Sequence, residues 1–366
     1  MKSYFLYFHP QCVLFNLSSF STKTVSESLL SAIYYGGFLM QQGHHEEVVS
    51  YMHAYAICNI KKILHNVKLS SVQALGIYAC AFNRNRNPDL SRVCLHHLFR
   101  MADAMGLSIN RKNIPALDQY NRRTIYTEII IHKNWTKLGT TIYSTLPEEH
   151  EENIDIHDPK YQLPNPDLNL HNNDHERIIY STFCIELRKN HKQLHVVNNI
   201  FSNYEFNRRD MEIDELSIKT NEIYNNSKAS LDYLINLYPQ YGSLISRYIL
   251  LVKIIFLVTS INIYYNTIES IKSIKFSAIE SIIDKCIDIH EMLISNKNLV
   301  QVCSYFSLNA SFHLIKVYPH GTKKQRIKIH YTLQKMIHFY IVEGFDINSL
   351  DFIILKTQFD LLNKNN

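Results

Sequence analysis

The sequence predicts an all-α protein: a large multi-helix bundle with an irregular acidic crossing segment near residues 140–173. Three observations carry that prediction. Glycine and proline occur only 9 times each in 366 residues, well under the ~7% and ~5% of an average chain, and a wound sheet or a β-sandwich needs more turn residues than that. Apolar residues recur at helical spacing in one stretch after another, whereas the period-two alternation of strands is hard to find. Capping residues punctuate those stretches. With 46% hydrophobic and 19% charged residues, the composition excludes global disorder and collagen-like or coiled-coil fibres.

Along the chain, Thr24 and Glu27 have capping-box spacing ahead of the stripe Leu29, Leu30 and Ile33. Val49, Met52, Ala56, Ile60 and Ile63 form a second stripe. Ser70 and Gln73 repeat the box spacing before Leu75, Ala79 and Phe82. Pro88-Asp89 opens a helix with Leu90, Cys94, Leu98, Ala102 and Met105 turned inward. Gly106 is expected to take the left-handed C′ position, with Leu107 packing back after it. A further helix is expected from about Asp118 to Leu138, stopping at Gly139. From Pro147 to Glu176 four prolines and a run of acidic residues mark a non-helical crossing. Helical patterns then resume from about Asp174: Ser277 with Glu280 opens one helix, Pro319 and Gly321 break another, and Gly344 ends a third. The expected organisation is residues 1–173 with 174–366 as a helical continuation packed on them in one compact unit.

The net charge of +5 is mild for a chain of this size, so a dedicated nucleic-acid-binding domain is not expected. Seven cysteines without a C-x-x-C pair argue against a disulfide framework and a cysteine-based zinc module, and for reduced, mostly buried thiols. Tyr248–Ile263 is the one serious membrane-spanning candidate. At about 16 residues, with Lys253 near its middle, it reads as a helix buried in a bundle, and no membrane partner is expected.

Residues with chemical potential each have a plainer reading. His191 and His195 are four apart, which places two imidazoles on one helix face as in zinc proteases. Lys192 stands where the catalytic glutamate would be and no third ligand is indicated, so a solvated polar face is expected. Carboxylates of 148–158 read as a solvated loop, because a run of exposed acids shares one environment instead of splitting into acid and base. Of the basic clusters Arg84/Arg86, Arg122/Arg123, Arg208/Arg209 and Lys323–Lys328, only the last resembles a nuclear-localisation or phosphate-contacting patch, and it is expected to be the charged first turn and face of an amphipathic helix. No phosphate-binding glycine loop, dinucleotide fingerprint or glycine-flanked serine is present. No catalytic residue, cofactor site or metal site is therefore assigned in this chain.

Several strings occur in a telling order. Tyr7-Phe8-His9-Pro10 is followed by Ser70-Ser71-Val72-Gln73-Ala74-Leu75, then by Arg100-Met101-Ala102-Asp103-Ala104-Met105-Gly106-Leu107, Asn121-Arg122-Arg123, and Ile154-Asp155-Ile156 with Leu163-Pro164. Together they resemble the fungal-specific transcription-factor regulatory domain, the helical middle homology region of zinc-cluster transcription factors. Ile125-Tyr126 replace that family's paired tryptophans, and Thr140-Thr141 stand where Arg-Pro is usual. The resemblance implies a nuclear regulatory domain working with the transcriptional machinery or other regulatory proteins. A small-molecule effector and a homodimer both stay open, as does an all-α enzyme. DNA contact, and the zinc of a six-cysteine cluster, would belong to a module that these residues do not contain.

His9, Pro10, Gln73, Ala74, Leu75, Arg100, Met101, Ala102, Gly106, Leu107, Arg122 and Arg123 carry the resemblance, and a structural role is expected for all of them. Arg122 or Arg123 is expected to pair with the acidic segment 148–158 or to cap carbonyls of the Arg100–Gly106 helix.

Overall fold

The amphipathic stretches fold as α-helices, and 81% of the structure is helical. The computed structural model describes residues 1–41, 43–84, 87–109, 111, 113–136, 155–165, 168–202, 210–270, 276–343, 347 and 350–364, and no strand occurs among them. The chain divides into two units, Met1–Cys184 and Ile185–Asn366.

The first unit contains α1 (Glu27–Leu39), α2 (Glu46–Ile63), α3 (Leu69–Arg84), α4 (Pro88–Ala104) and α5 (Ala116–Thr136). Helix α3 is its centre: Val72, Ala74, Leu75, Ile77, Tyr78, Ala81 and Phe82 are fully buried. Its packing partners include α1 and α4. Small residues allow that approach. A Cβ on Gly76 would lie 2.7 Å from Leu14 Cδ1 and 3.3 Å from Leu98 Cδ1. An opening π-helical turn, Tyr4–Phe8, adds aromatic bulk, with Tyr4 and Phe8 stacked at 5.1 Å and Phe15 and Phe20 at 5.2 Å. Each such side chain contributes about 1.5–3 kcal/mol on burial, which anchors the N-terminal segment.

Helix starts differ from the sequence expectation in three places, one being the helix Phe276–Ser295, which already includes Ser277 and is not opened by it. The N-cap of α1 is Ser26, whose Oγ accepts from Leu29 N at 3.3 Å, and not Thr24. A serine three residues before an apolar position serves as well as the box, and Glu27 then falls in the first turn, where the helix dipole favours it. Ser70 and Gln73 do not form a box either, because α3 already begins at Leu69. Gln73 is drawn into the core instead. The start of α4 is as expected, with Asn87 capping Leu90 N at 3.1 Å and Pro88 at the first position. The stop of α5 near Gly139 lies outside the described residues.

Helix α6 (Asp174–Ser202) contains the division point, and α7 (Asp210–Leu237), α8 (Gly242–Ser270), α9 (Phe276–Ser295), α10 (Lys297–Val317), α11 (Lys323–Val342) and α12 (Leu350–Lys364) follow. Helix α8 packs against α7 and α9, and α9 against α10. The stretch Pro239–Tyr265, 27 residues, is long and apolar enough to cross a membrane by length and composition, which corrects the shorter span read from the sequence. It is also apolar all round and 61% of its most apolar window is buried, as a central bundle helix requires. Three basic residues in the first turn of α11 oppose its dipole. A full capping box between Thr322 and Gln325 offsets this, and Arg326 donates to the carbonyls of Gly321 at 2.9 Å and Pro319 at 2.8 Å.

Candidate functional site

Two of the strings that carry the resemblance, Arg100–Leu107 and Asn121–Arg123, meet at the end of α4. Met101 and Ala102 are buried on its inner face, and Arg100 is exposed. Gly106 adopts φ +59°, a conformation that costs a residue with a Cβ about 1–2 kcal/mol. Gly106 N donates to Asp103 O at 2.9 Å and Leu107 N to Ala102 O at 3.0 Å. This is the Schellman pattern, and the Leu107 side chain is buried as that motif favours. Arg122, one and a half turns into α5, donates from Nη2 to Gly106 O at 2.7 Å and Met105 O at 3.2 Å. The arginine caps the carbonyls of the α4 terminus, one of the two placements expected. Burial and the nearby Arg111 lower its pKa, yet a guanidinium stays charged throughout the physiological range. Arg123 is partly buried beside it. The acidic residues 148–154 lie outside the described residues.

The other strings hold the irregular segment 9–17, whose backbone groups need partners once buried. Gln73 Nε2 donates to Leu14 O at 3.2 Å, and Asn121 Oδ1 accepts from Asn16 N at 2.8 Å and Asn16 Nδ2 at 3.0 Å. Gln162 Nε2 donates to Phe15 O at 3.2 Å and to Tyr120 Oη at 2.6 Å. His9 Nε2 bonds Gln162 Oε1 at 2.8 Å. Because that oxygen can only accept, Nε2 carries the hydrogen. Pro10, Ala74 and Leu75 are buried alongside. Gln162 was missed by sequence reasoning; its only signal was being the one glutamine in an irregular, acidic stretch that also holds several asparagines.

Among the described residues no group of three or more histidine, cysteine or acidic side chains is placed to hold a metal ion. His191 and His195 share a face of α6 as their spacing requires, but they do not form the solvated face expected. Both are mostly buried, and burial together with the charge of Arg188 depresses their pKa values, His195 to about 4. Arg208 and Arg209 lie outside the described residues, as does Arg86.

One concave surface of about 420 Å³ is found in the first unit between α1 and α2, lined by Tyr34, Phe38, Gln41, Tyr51, Met52 and Tyr55 among others. Tyr51 is 68% exposed and Tyr34 48%. Ser31 Oγ and Tyr55 Oη are hydrogen-bonded at 3.0 Å. A groove with flat aromatic walls and few polar groups suits an apolar or aromatic moiety, within the usual volume range of ligand sites. The sequence signal was present in the i, i+4 pair Tyr51/Tyr55, which falls outside the α2 core stripe.

No family model, no curated protein and no solved structure matches the chain.

Proposed function

We propose that this chain is a regulatory and interaction module of a fungal transcription factor, acting in the nucleus and not as an enzyme. Support comes from the order of strings along residues 4–165 and from one geometric observation. Arg122, from the Asn121-Arg122-Arg123 string, caps the carbonyls of Met105 and Gly106, from the Arg100–Leu107 string. Strings similar to those of the middle homology region thus converge on one helix end, as parts of a shared scaffold would. Under this reading the scaffold presents surfaces to the transcriptional machinery or to other regulatory proteins, and a second copy of the chain is an allowed partner. DNA is reached through a separate module, which under the resemblance also holds the zinc. The groove walled by Tyr34, Tyr51 and Tyr55 is the effector or partner surface in this reading.

A tethering assay tests it. The full chain is fused to an unrelated DNA-binding domain and reporter transcription is compared with that of the domain alone. A severalfold change in either direction, reduced by Tyr51→Ala with Tyr55→Ala, is expected. An unchanged reporter at equal nuclear protein level would overturn the proposal.

A further inference from the structure

We infer that Arg188, His191 and His195 on α6 form a binding site for a small oxyanion, the phosphate or carboxylate group of a low-molecular-weight ligand. The spacing of three and four puts these residues on one face of the helix. Residues 186, 190 and 193 lie on the other side and are already used: Asn190 Nδ2 donates to Ser227 Oγ at 2.9 Å and Gln193 Nε2 to Thr220 Oγ1 at 3.0 Å, both on α7. The one buried carboxylate close in sequence, Glu186, is committed as well. It accepts from Ser227 Oγ at 2.8 Å and pairs with Lys189 at 2.8 Å.

Arg188 is 6% exposed, and its Nη2 is buried without a hydrogen-bond partner. No ion pair to it occurs among the described residues. A guanidinium cannot shed its proton to escape burial, and an uncompensated buried charge is among the most costly features a fold can hold. Neither imidazole relieves it. Burial and Arg188 itself lower the pKa of both, so neither supplies a counter-charge. A planar guanidinium fork without a counter-charge matches an oxyanion, to which arginine binds in bidentate fashion. His191 and His195, on the same face of the helix, keep partial exposure. Lys189 and Lys192, exposed on the neighbouring turns, add positive potential around the approach. This site is independent of the transcriptional reading, and its three residues belong to the second unit.

The test uses the full chain, with inorganic phosphate and succinate as separate probes at constant ionic strength and chloride as the control. One or both probes should raise the melting temperature of the wild type by several degrees above chloride. The proton resonances of His191 and His195 should then titrate at least one pH unit higher than without probe. The responding probe identifies the group as phosphate or carboxylate. Arg188→Gln should weaken probe binding at least tenfold. Arg188→Met, which removes the unpaired charge, should melt no lower than the wild type in chloride and should not respond to either probe. If Arg188→Gln fails to fold, His191→Gln with His195→Gln should weaken binding while leaving the chloride melting temperature nearly unchanged. The inference is overturned if neither probe exceeds chloride in the wild type, or if the arginine variants respond as the wild type does.

Discussion

Replacing Arg122 with alanine isolates the contact on which the scaffold reading rests. The lost interactions are two hydrogen bonds from one guanidinium nitrogen, at 2.7 Å to Gly106 O and 3.2 Å to Met105 O. Charge-assisted bonds contribute about 1.5–3 kcal/mol when well shielded, and partial exposure of this arginine roughly halves that through screening. The favourable placement of a cation at a helix C-terminus adds about 0.3–1 kcal/mol. A net loss of about 1–2 kcal/mol follows, which for a unit of this size lowers the melting temperature by about 2–8 °C. Arg122→Lys should recover part of the loss, since an ammonium supplies the charge but not the planar fork. Thermal unfolding followed by circular dichroism reads the shift, and amide exchange should quicken at Leu107 and Ile109, whose N–H groups close the turn around Gly106. An Arg122→Ala protein melting within about 1 °C of the wild type, with those amides still protected, would refute the reasoning.

Four further outcomes follow. Gly106→Ala should cost about 1–2 kcal/mol, because φ is +59° and the new Cβ would sit 3.2 Å from Ile109 Cδ1; combined with Arg122→Ala it should be non-additive in denaturant melts, since both act on one helix end. Gly76→Ala should destabilise by about 1–3 kcal/mol through overpacking against buried Leu14, and Leu14→Ala in the same chain should recover part of that loss in the same melts. A thiol reagent should modify Cys58 quickly in the native protein and Cys94 and Cys286 only on unfolding, because Cys58 is exposed while burial raises the other two, Cys94 to about 12. Burial holds His290 at about 4 with its Nε2 bonded to Ser307 O at 3.1 Å. From about pH 6.5 down to about pH 4 the unfolded chain therefore takes up a proton that the folded one does not, and stability falls as pH falls through that window; His290→Gln should flatten this part of a melting-temperature profile.

Much of the fold was legible because helices announce themselves locally. The stripe Cys94, Leu98 and Ala102, the start at Pro88 and the stop at Gly106 are determined within a few residues, and each is found in place. The Thr24 and Ser70 boxes failed for a related reason. Serine and threonine cap equally well one or two residues apart, and only tertiary packing decides which does so; Ser70 lies inside α3, which begins at Leu69, and Gln73 bonds the Leu14 carbonyl. The placement of Arg122 was legible as an alternative, since a cation after a glycine-stopped helix has few other useful targets. Gln162 was not, because its role depends on His9, Phe15 and Tyr120, which the fold brings to it from two distant stretches. His191 and His195 misled in the same way: helical spacing fixes which face they share, while burial of that face is a property of the whole unit. Arg188 became informative only once its neighbours were seen to be paired elsewhere.

The most direct test of the regulatory reading is chromatin occupancy of the tagged protein in its native cell. The account predicts crosslinked enrichment at discrete promoters, with the transcripts of those genes changing when the chain is deleted. A tagged protein that complements the deletion, yet is recovered outside the nucleus with no promoter enriched over an untagged control, would contradict it.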